Sequence, residues 1–219
     1  MTVEPLRPRE PLKGLLEPQN EADAVALLTE YFDAPPRGKF SGSRFELLAG
    51  GGDRPEAADK FTADDLVAVS TLAVSVKGDA ALALLEHRSE EFGALLAAIP
   101  VTDRLADLPA DALGESWPVR ALYRKLMGLP HVGVTTATKL MARKRPHLVP
   151  IMDTVVEREL EIVKENYWRP LHAWLTADGK TNHRQLERLH DAAGLPANIS
   201  TLRVFDVLVW RVGMSRARR

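Results

Sequence analysis

An all-α, multi-helix fold is what the sequence predicts, and three observations carry that prediction. Nearly every segment after residue 20 places apolar residues at helical spacing, no convincing pair of alternating strand segments occurs, and no repeat of fixed period is present. With 219 residues, 45% of them hydrophobic, a single unit of this size buries roughly 70% of its unfolded-chain surface and needs no covalent staple.

The elements follow in order. Pro5, Pro8, Pro11 and Pro18 fall within the first 19 residues. That density blocks helix and ladder alike, so residues 1–19 are expected to form a proline-rich arm or poorly ordered lead-in. Residues 20–219 are expected to form one helical unit. Asn20 can cap a helix over 20–33 with Val25, Leu28 and Phe32 on one face, and Pro35-Pro36 ends it. Residues 37–44 are basic and glycine-spaced. They could wrap a phosphate, although the spacing is not that of a nucleotide P-loop. Ala49-Gly-Gly-Gly-Asp53 suggests a free hinge or surface loop. Thr62-Ala-Asp-Asp65 resembles a capping box, with Asp in place of Glu, ahead of an apolar run over 66–76. Further helices are expected over 80–87, 89–99, 116–127, 134–144, 153–166, 182–193 and 200–212. The last is the clearest, with Leu202, Phe205, Leu208, Val209 and Val212 on one stripe.

Composition narrows the chemistry. The absence of cysteine excludes a disulfide scaffold, a thiolate nucleophile, a Cys-ligated zinc and an iron–sulfur cluster. Six histidines show no HExxH arrangement, so no metal site is expected, and no GxSxG elbow occurs. No apolar stretch approaches the ~20 residues of a membrane helix, and the start lacks a signal-peptide core. The expectation is a soluble, cytoplasmic protein without membrane partners. The 29 basic and 30 acidic residues give a net charge of −1, which argues against a generally basic coat but is silent on local patches.

One stretch, 129–154, carries most of the information. A helix ending near Met127 meets a tight Leu129-Pro-His-Val-Gly133 turn, and a second helix starts at Val134-Thr135. Gly133 permits positive φ or close backbone approach, and the new helix start offers amides and a dipole to an anion. Lys139 and Arg143 lie four residues apart on one face, with Lys144 and Arg145 extending the patch. Four cations in seven residues suit a grip on a nucleic-acid backbone. The plainer alternative is a solvated helix end, where cations are favoured in any case.

This stretch resembles the helix-hairpin-helix superfamily of DNA glycosylases, whose members show a Leu-Pro-Gly-Val-Gly hairpin, a Thr-Ala helix and a Val-Asp-Thr at the next helix start. Leu129-Pro130, Val132-Gly133 and Thr136-Ala137 fall on the hairpin and its helix, at about 116–145, and Ile151-Met152-Asp153-Thr154 falls on the aspartate motif. The resemblance implies two helical lobes around a cleft, duplex DNA as partner, and Asp153 as the catalytic aspartate. It implies DNA contacts from His131, Gly133, Thr135, Thr136, Lys139, Arg143, Lys144 and Arg145. His131 replaces the first hairpin glycine, and His tolerates positive φ better than most residues. Thr135 stands where strand-cutting members carry a Schiff-base lysine, so a monofunctional enzyme is implied. The resemblance leaves room for a monovalent cation at the hairpin and for no other cofactor. Outside the hairpin, residues 61–70 and 142–146 resemble a bacterial family of unknown function that shares this core.

Base excision passes through an oxocarbenium-like transition state that a carboxylate can stabilise. Asp153 is equally well placed as a helix N-cap. A flipped base needs an apolar or aromatic pocket, for which Tyr123, Tyr167, Trp168, Trp174 and Trp210 are available, Tyr167-Trp168 first. The alternatives left open are a glycosylase-like enzyme releasing a modified or damaged base, a hairpin DNA-binding protein without chemistry, and a helical interaction protein. A cavity beside Asp153 favours the first. An Asp153 consumed by backbone amides, with no cavity adjoining, favours the second.

Overall fold

The computed structural model describes residues 3–33, 39–162 and 167–216, and among them it is helical without a β-strand. The α-helices are α1 (Leu12–Leu15), α2 (Glu21–Phe32), α3 (Ala63–Ser70), α4 (Gly78–Leu82), α5 (Ser89–Ala97), α6 (Pro118–Met127), α7 (Val134–Lys144), α8 (Thr154–Leu160), α9 (Trp168–Ala192) and α10 (Thr201–Arg216). Short 3₁₀ turns at Ser41–Arg44, Leu48–Gly50, Leu105–Asp107 and Ala110–Leu113 join them, and α4 runs on into a π-type turn over Ala83–His87.

Local chemistry explains where these helices begin and end. The Thr62–Asp65 capping box forms, with the Thr62 N–H donating to Asp65 Oδ2 at 2.9 Å. The helix it opens stops at Ser70, and Ala73 is left-handed (φ 58). Leu72, Val74 and Val76 still pack on the core from irregular backbone, so tertiary packing overrides the expected run to 76. Likewise α8 ends at Leu160 with Glu161 left-handed; the rest of the expected helix, 163–166, lies outside the described residues, as do Pro35 and Pro36. Within α9, Asp178, Gly179 and Lys180 are successively left-handed, so two helical stretches meet at a tight turn. Its first stretch, from Trp168, was not legible in the sequence.

The proline-rich start is not a loose arm over residues 3–19. Leu6 and Leu12 are buried, and the Leu6 N–H donates to the Pro170 carbonyl at 2.9 Å. Two buried leucines are worth roughly 1.5–3 kcal/mol each, which ties the segment down without requiring it to be helical.

The helices form two groups. α10 packs on α1, α2, α8 and α9, while α7 packs on α3 and α6, and α6 on α5. One apolar cluster runs through both groups. Every residue from Leu202 to Val209 is buried, including Arg203 and Asp206, so α10 is enclosed on all sides rather than amphipathic. Gly213 lets α8 cross it closely: a Cβ there would lie 2.9 Å from Glu159 Cγ and overlap Val155.

Candidate active site

Residues 128–133 close the hairpin between α6 and α7. His131 takes the left-handed conformation (φ 60), which His tolerates better than most non-glycine residues. Gly133 does not: its φ is −97, and a Cβ there would meet nothing within 4 Å. The turn exposes Pro130, His131 and Gly133, and the first amides of α7 have no side-chain cap.

The cations of α7 and its C-cap, Arg145, contradict the expected phosphate patch. Lys139, Arg143, Lys144 and Arg145 are 4%, 1%, 0% and 1% exposed. Arg143 donates to the carbonyls of Phe45, Glu46 and Leu48 at 2.5–2.7 Å and lies 3.2 Å from Asp65 Oδ1. Lys144 donates to the Gly52 and Ala57 carbonyls at 3.1 and 3.0 Å and pairs with Asp65. Arg145 donates to the carbonyls of Ala58, Leu96 and Ile99 at 2.6–2.8 Å and to Asp59 at 2.8 Å. A buried cation persists only where fixed acceptors replace its water, and the chain over 45–59, with Asp65, Leu72, Leu96 and Ile99, supplies them. The glycine-rich loop is therefore no free hinge. Gly51 and Gly52 are buried, and a Cβ on Gly52 would fall 2.8 Å from Arg143 Cγ.

Asp153 does two things at once. Its Oδ1 accepts from the Val155 and Val156 amides at 3.0 Å each, capping α8. Its Oδ2 lies 3.6 Å from Lys139 Nζ, which also donates to the Leu72 carbonyl at 3.0 Å. Burial, partly offset by the charge of Asp153, holds Lys139 below the ordinary lysine range. The link from α7 to Asp153 is pinned by Thr138, whose Oγ1 donates to the Val134 carbonyl at 2.9 Å and accepts from the Met152 N–H at 3.1 Å.

Asp153 and Lys139 border a cavity of ≈ 210 Å³, whose remaining wall comes from both helix groups, including Tyr31, Phe40, Leu72, Arg203, Asp206 and Trp210. Tyr31 and Phe40 stack at 5.1 Å with an interplanar angle of 14°, and Trp210 meets each edge-on at 5.8 and 5.6 Å. Phe40, Ser41 and Gly42 belong to the basic segment expected to hold phosphate; they line this cavity, while Lys39 pairs with Glu30 at 2.7 Å. Arg37 and Gly38 of that segment lie outside the described residues.

Below the cavity sits an ionic cluster that the sequence reading missed. The Arg203 guanidinium pairs with Asp206 Oδ2, lies 2.9 Å from Glu46 Oε1, and donates to the Tyr31 hydroxyl at 2.8 Å and the Gly42 carbonyl at 3.0 Å. Among the described residues, Glu46 Oε2 and Asp206 Oδ1 are buried without a hydrogen-bond partner. Burial lifts both carboxyls to about 6 against the pull of Arg203, and the charge of Asp153 adds to the rise at Asp206.

The expected stacking pair is elsewhere. Tyr167 is buried, with its hydroxyl pushed up by desolvation, and does not line the Asp153 cavity. Trp168 packs edge-on to Trp117 and Tyr123 at 5.4 and 5.3 Å and borders a second cavity, of ≈ 620 Å³, with Arg120, Arg124 and Thr138. Thr136 is buried and Thr135 half-buried; neither borders the Asp153 cavity. Residues 138–139 and 151–153 thus form a wall whose two sides face different cavities, Thr138 and Met152 on one, Lys139, Ile151 and Asp153 on the other.

These features define a helical protein with a carboxylate and a buried amine on an aromatic-walled cavity. The chain matches the family of unknown function DUF6308 over residues 24–213, and it belongs to that family. No curated protein and no solved structure matches it.

Proposed function

We propose that the protein is a monofunctional, glycosylase-like hydrolase that takes a single nucleobase of a DNA strand into the Asp153 cavity and breaks its N-glycosidic bond. One observation carries this reading. A helix cap needs only Oδ1 of Asp153, yet Oδ2 is turned toward Lys139 beside an aromatic-walled cavity. At ≈ 210 Å³ the cavity is smaller than the ~300–1,000 Å³ of drug-sized ligand sites, and it suits one flat heterocycle. As the C1′–N bond lengthens, its electron pair leaves with the base, and the Asp153 carboxylate stabilises the cationic sugar until water adds and its proton passes to the departed base. Lys139 orients that carboxylate. Strand contact falls to the exposed hairpin turn and the uncapped amides of α7, since the α7 cations are spent inside the fold.

The buried cations favour a second reading, in which the same cavity acts on a free nucleoside with no duplex involved. A panel of duplexes carrying modified bases, run beside the matching free nucleosides, tests both. Abasic sites in duplex support the first, free base from nucleosides alone supports the second, and no base released from either would remove hydrolysis.

A further inference from the structure

We propose that Asp206 is the base-reading residue of the Asp153 cavity, its Oδ1 accepting a hydrogen bond from the exocyclic amino group of an amino-bearing nucleobase. The inference deepens the reading above and rests on it for the occupant of the cavity.

Asp206 lines the cavity, is 6% exposed and has its two oxygens in different situations. Oδ2 pairs with Arg203, whereas Oδ1 is buried and has no hydrogen-bond partner among the described residues; it opens to a ligand as the carboxyl turns. A buried carboxylate oxygen without a donor costs free energy that a native fold rarely carries without use. The polar groups around it are of two kinds. Lys139 is a donor already committed to the Leu72 carbonyl and facing Asp153, and Arg203 commits its Nη atoms to Asp206 Oδ2, Tyr31 and Gly42 while its Nε faces Glu46 Oε1 at 2.9 Å. What Oδ1 lacks is a donor, and an amino group on a flat ring held by Tyr31, Phe40 and Trp210 would bring one. Leaving such an oxygen unpaired discriminates strongly against an analogue lacking the donor.

The groups facing Asp206 are Tyr31 from α2, Glu46 from the 45–52 loop, Lys139 from α7, the Asp153 cap of α8, Tyr167 at the start of α9, and Arg203 on its own helix. Below about pH 6, protonation makes the carboxyl a donor, which a ring nitrogen of any purine satisfies. Selectivity for the amino group is therefore confined to higher pH.

The test uses methylated bases, with the methyl where the sugar would be: 9-methyladenine and 1-methylcytosine carry the amino group, and 9-methylpurine has none. Binding to the full chain is followed by the NMR shift of the Trp210 indole N–H. At pH 7.5 the amino bases should bind at least about tenfold more tightly than 9-methylpurine. That preference should vanish in Asp206→Asn, whose amide can turn a donor to the ring, and in the wild type at pH 5. The second arm holds even if the variant fails to fold. Equal affinities for all three ligands at pH 7.5, or no shift of Trp210 with any of them, would overturn the proposal. Amino-selective binding without base release from any substrate would leave Asp206 as the reader and remove only the hydrolysis.

Discussion

Lys139 Nζ stands 3.6 Å from Asp153 Oδ2, and the two side chains share the border of one cavity although Lys139 is almost fully enclosed. The hairpin helix thus aims a cation inward at the aspartate that caps the next helix, rather than outward at solvent. The predictions below follow from that inward arrangement.

The α7 cations hold the fold. Removing one partner of a buried ion pair leaves the other charge uncompensated, at roughly 3–5 kcal/mol. Arg143→Ala or Lys144→Ala should therefore lower the unfolding free energy by that order, measured by urea titration with circular dichroism. A loss under about 0.5 kcal/mol, ordinary for a surface site, would mean that the carbonyl cage around them is not structural.

Thr138 positions Asp153 through the Met152 amide. Thr138→Val keeps the shape but strands that buried N–H, so stability should fall by about 1–3 kcal/mol. The Val155 and Val156 amide resonances should shift with it. Unchanged stability and spectra would show that the link is fixed by packing alone.

Gly213 is required by the α8–α10 crossing. Gly213→Ala introduces a Cβ into occupied space, and overpacking of this kind costs about 1–3 kcal/mol. Since alanine otherwise favours a helix interior by about 1 kcal/mol, a measured increase in thermal stability would contradict the close crossing.

Asp206 gives a pH dependence of known sign. Its folded value of about 6 lies above the ordinary 3.8. Between those values the folded protein holds a proton that the unfolded chain has lost, and that contribution disappears as pH rises through 6. Lowering the pH from 7.5 to 5 should therefore stabilise the wild type relative to Asp206→Asn by on the order of 1 kcal/mol. His147 and His183, held low by burial, oppose this in both proteins and cancel in the comparison, while Glu46, raised to about 6, acts in the same sense in both, less the part of its rise that comes from the charge of Asp206. A stability difference that is flat with pH would place an ionised Asp206 throughout this range.

The sequence made local features legible and long-range ones opaque. Thr62–Asp65, the turn at His131, the α7 start and the Asp153 cap all depend on neighbours within a few residues, which spacing reveals. The pairing of Asp65 with Arg143 and Lys144 joins residues almost eighty positions apart, and nothing in a run of four cations announces whether carbonyls or water surround it. The same gap hid Arg203 and Asp206. They sit in the helix of 200–212 but off its apolar stripe, at positions that a period of 3.6 would assign to solvent, whereas α1, α2, α8 and α9 enclose α10 on every side. Of the aromatic residues available to the cavity, Trp210 was in view; Tyr31 and Phe40 gain their place only when α2 and the 40–42 segment fold over α7 and α10.

The account turns on whether Asp153 is a functional carboxylate or only a cap. Asn caps helices about as well as Asp, so Asp153→Asn retains the fold while removing the charge that faces Lys139 and the cavity. The decisive measurement is the single-turnover rate of base release by wild type and Asp153→Asn on whichever duplex of the modified-base panel the wild type processes, with DNA affinity measured alongside. The account predicts a loss on the order of a hundredfold or more with affinity retained; release at the wild-type rate by the variant would contradict it.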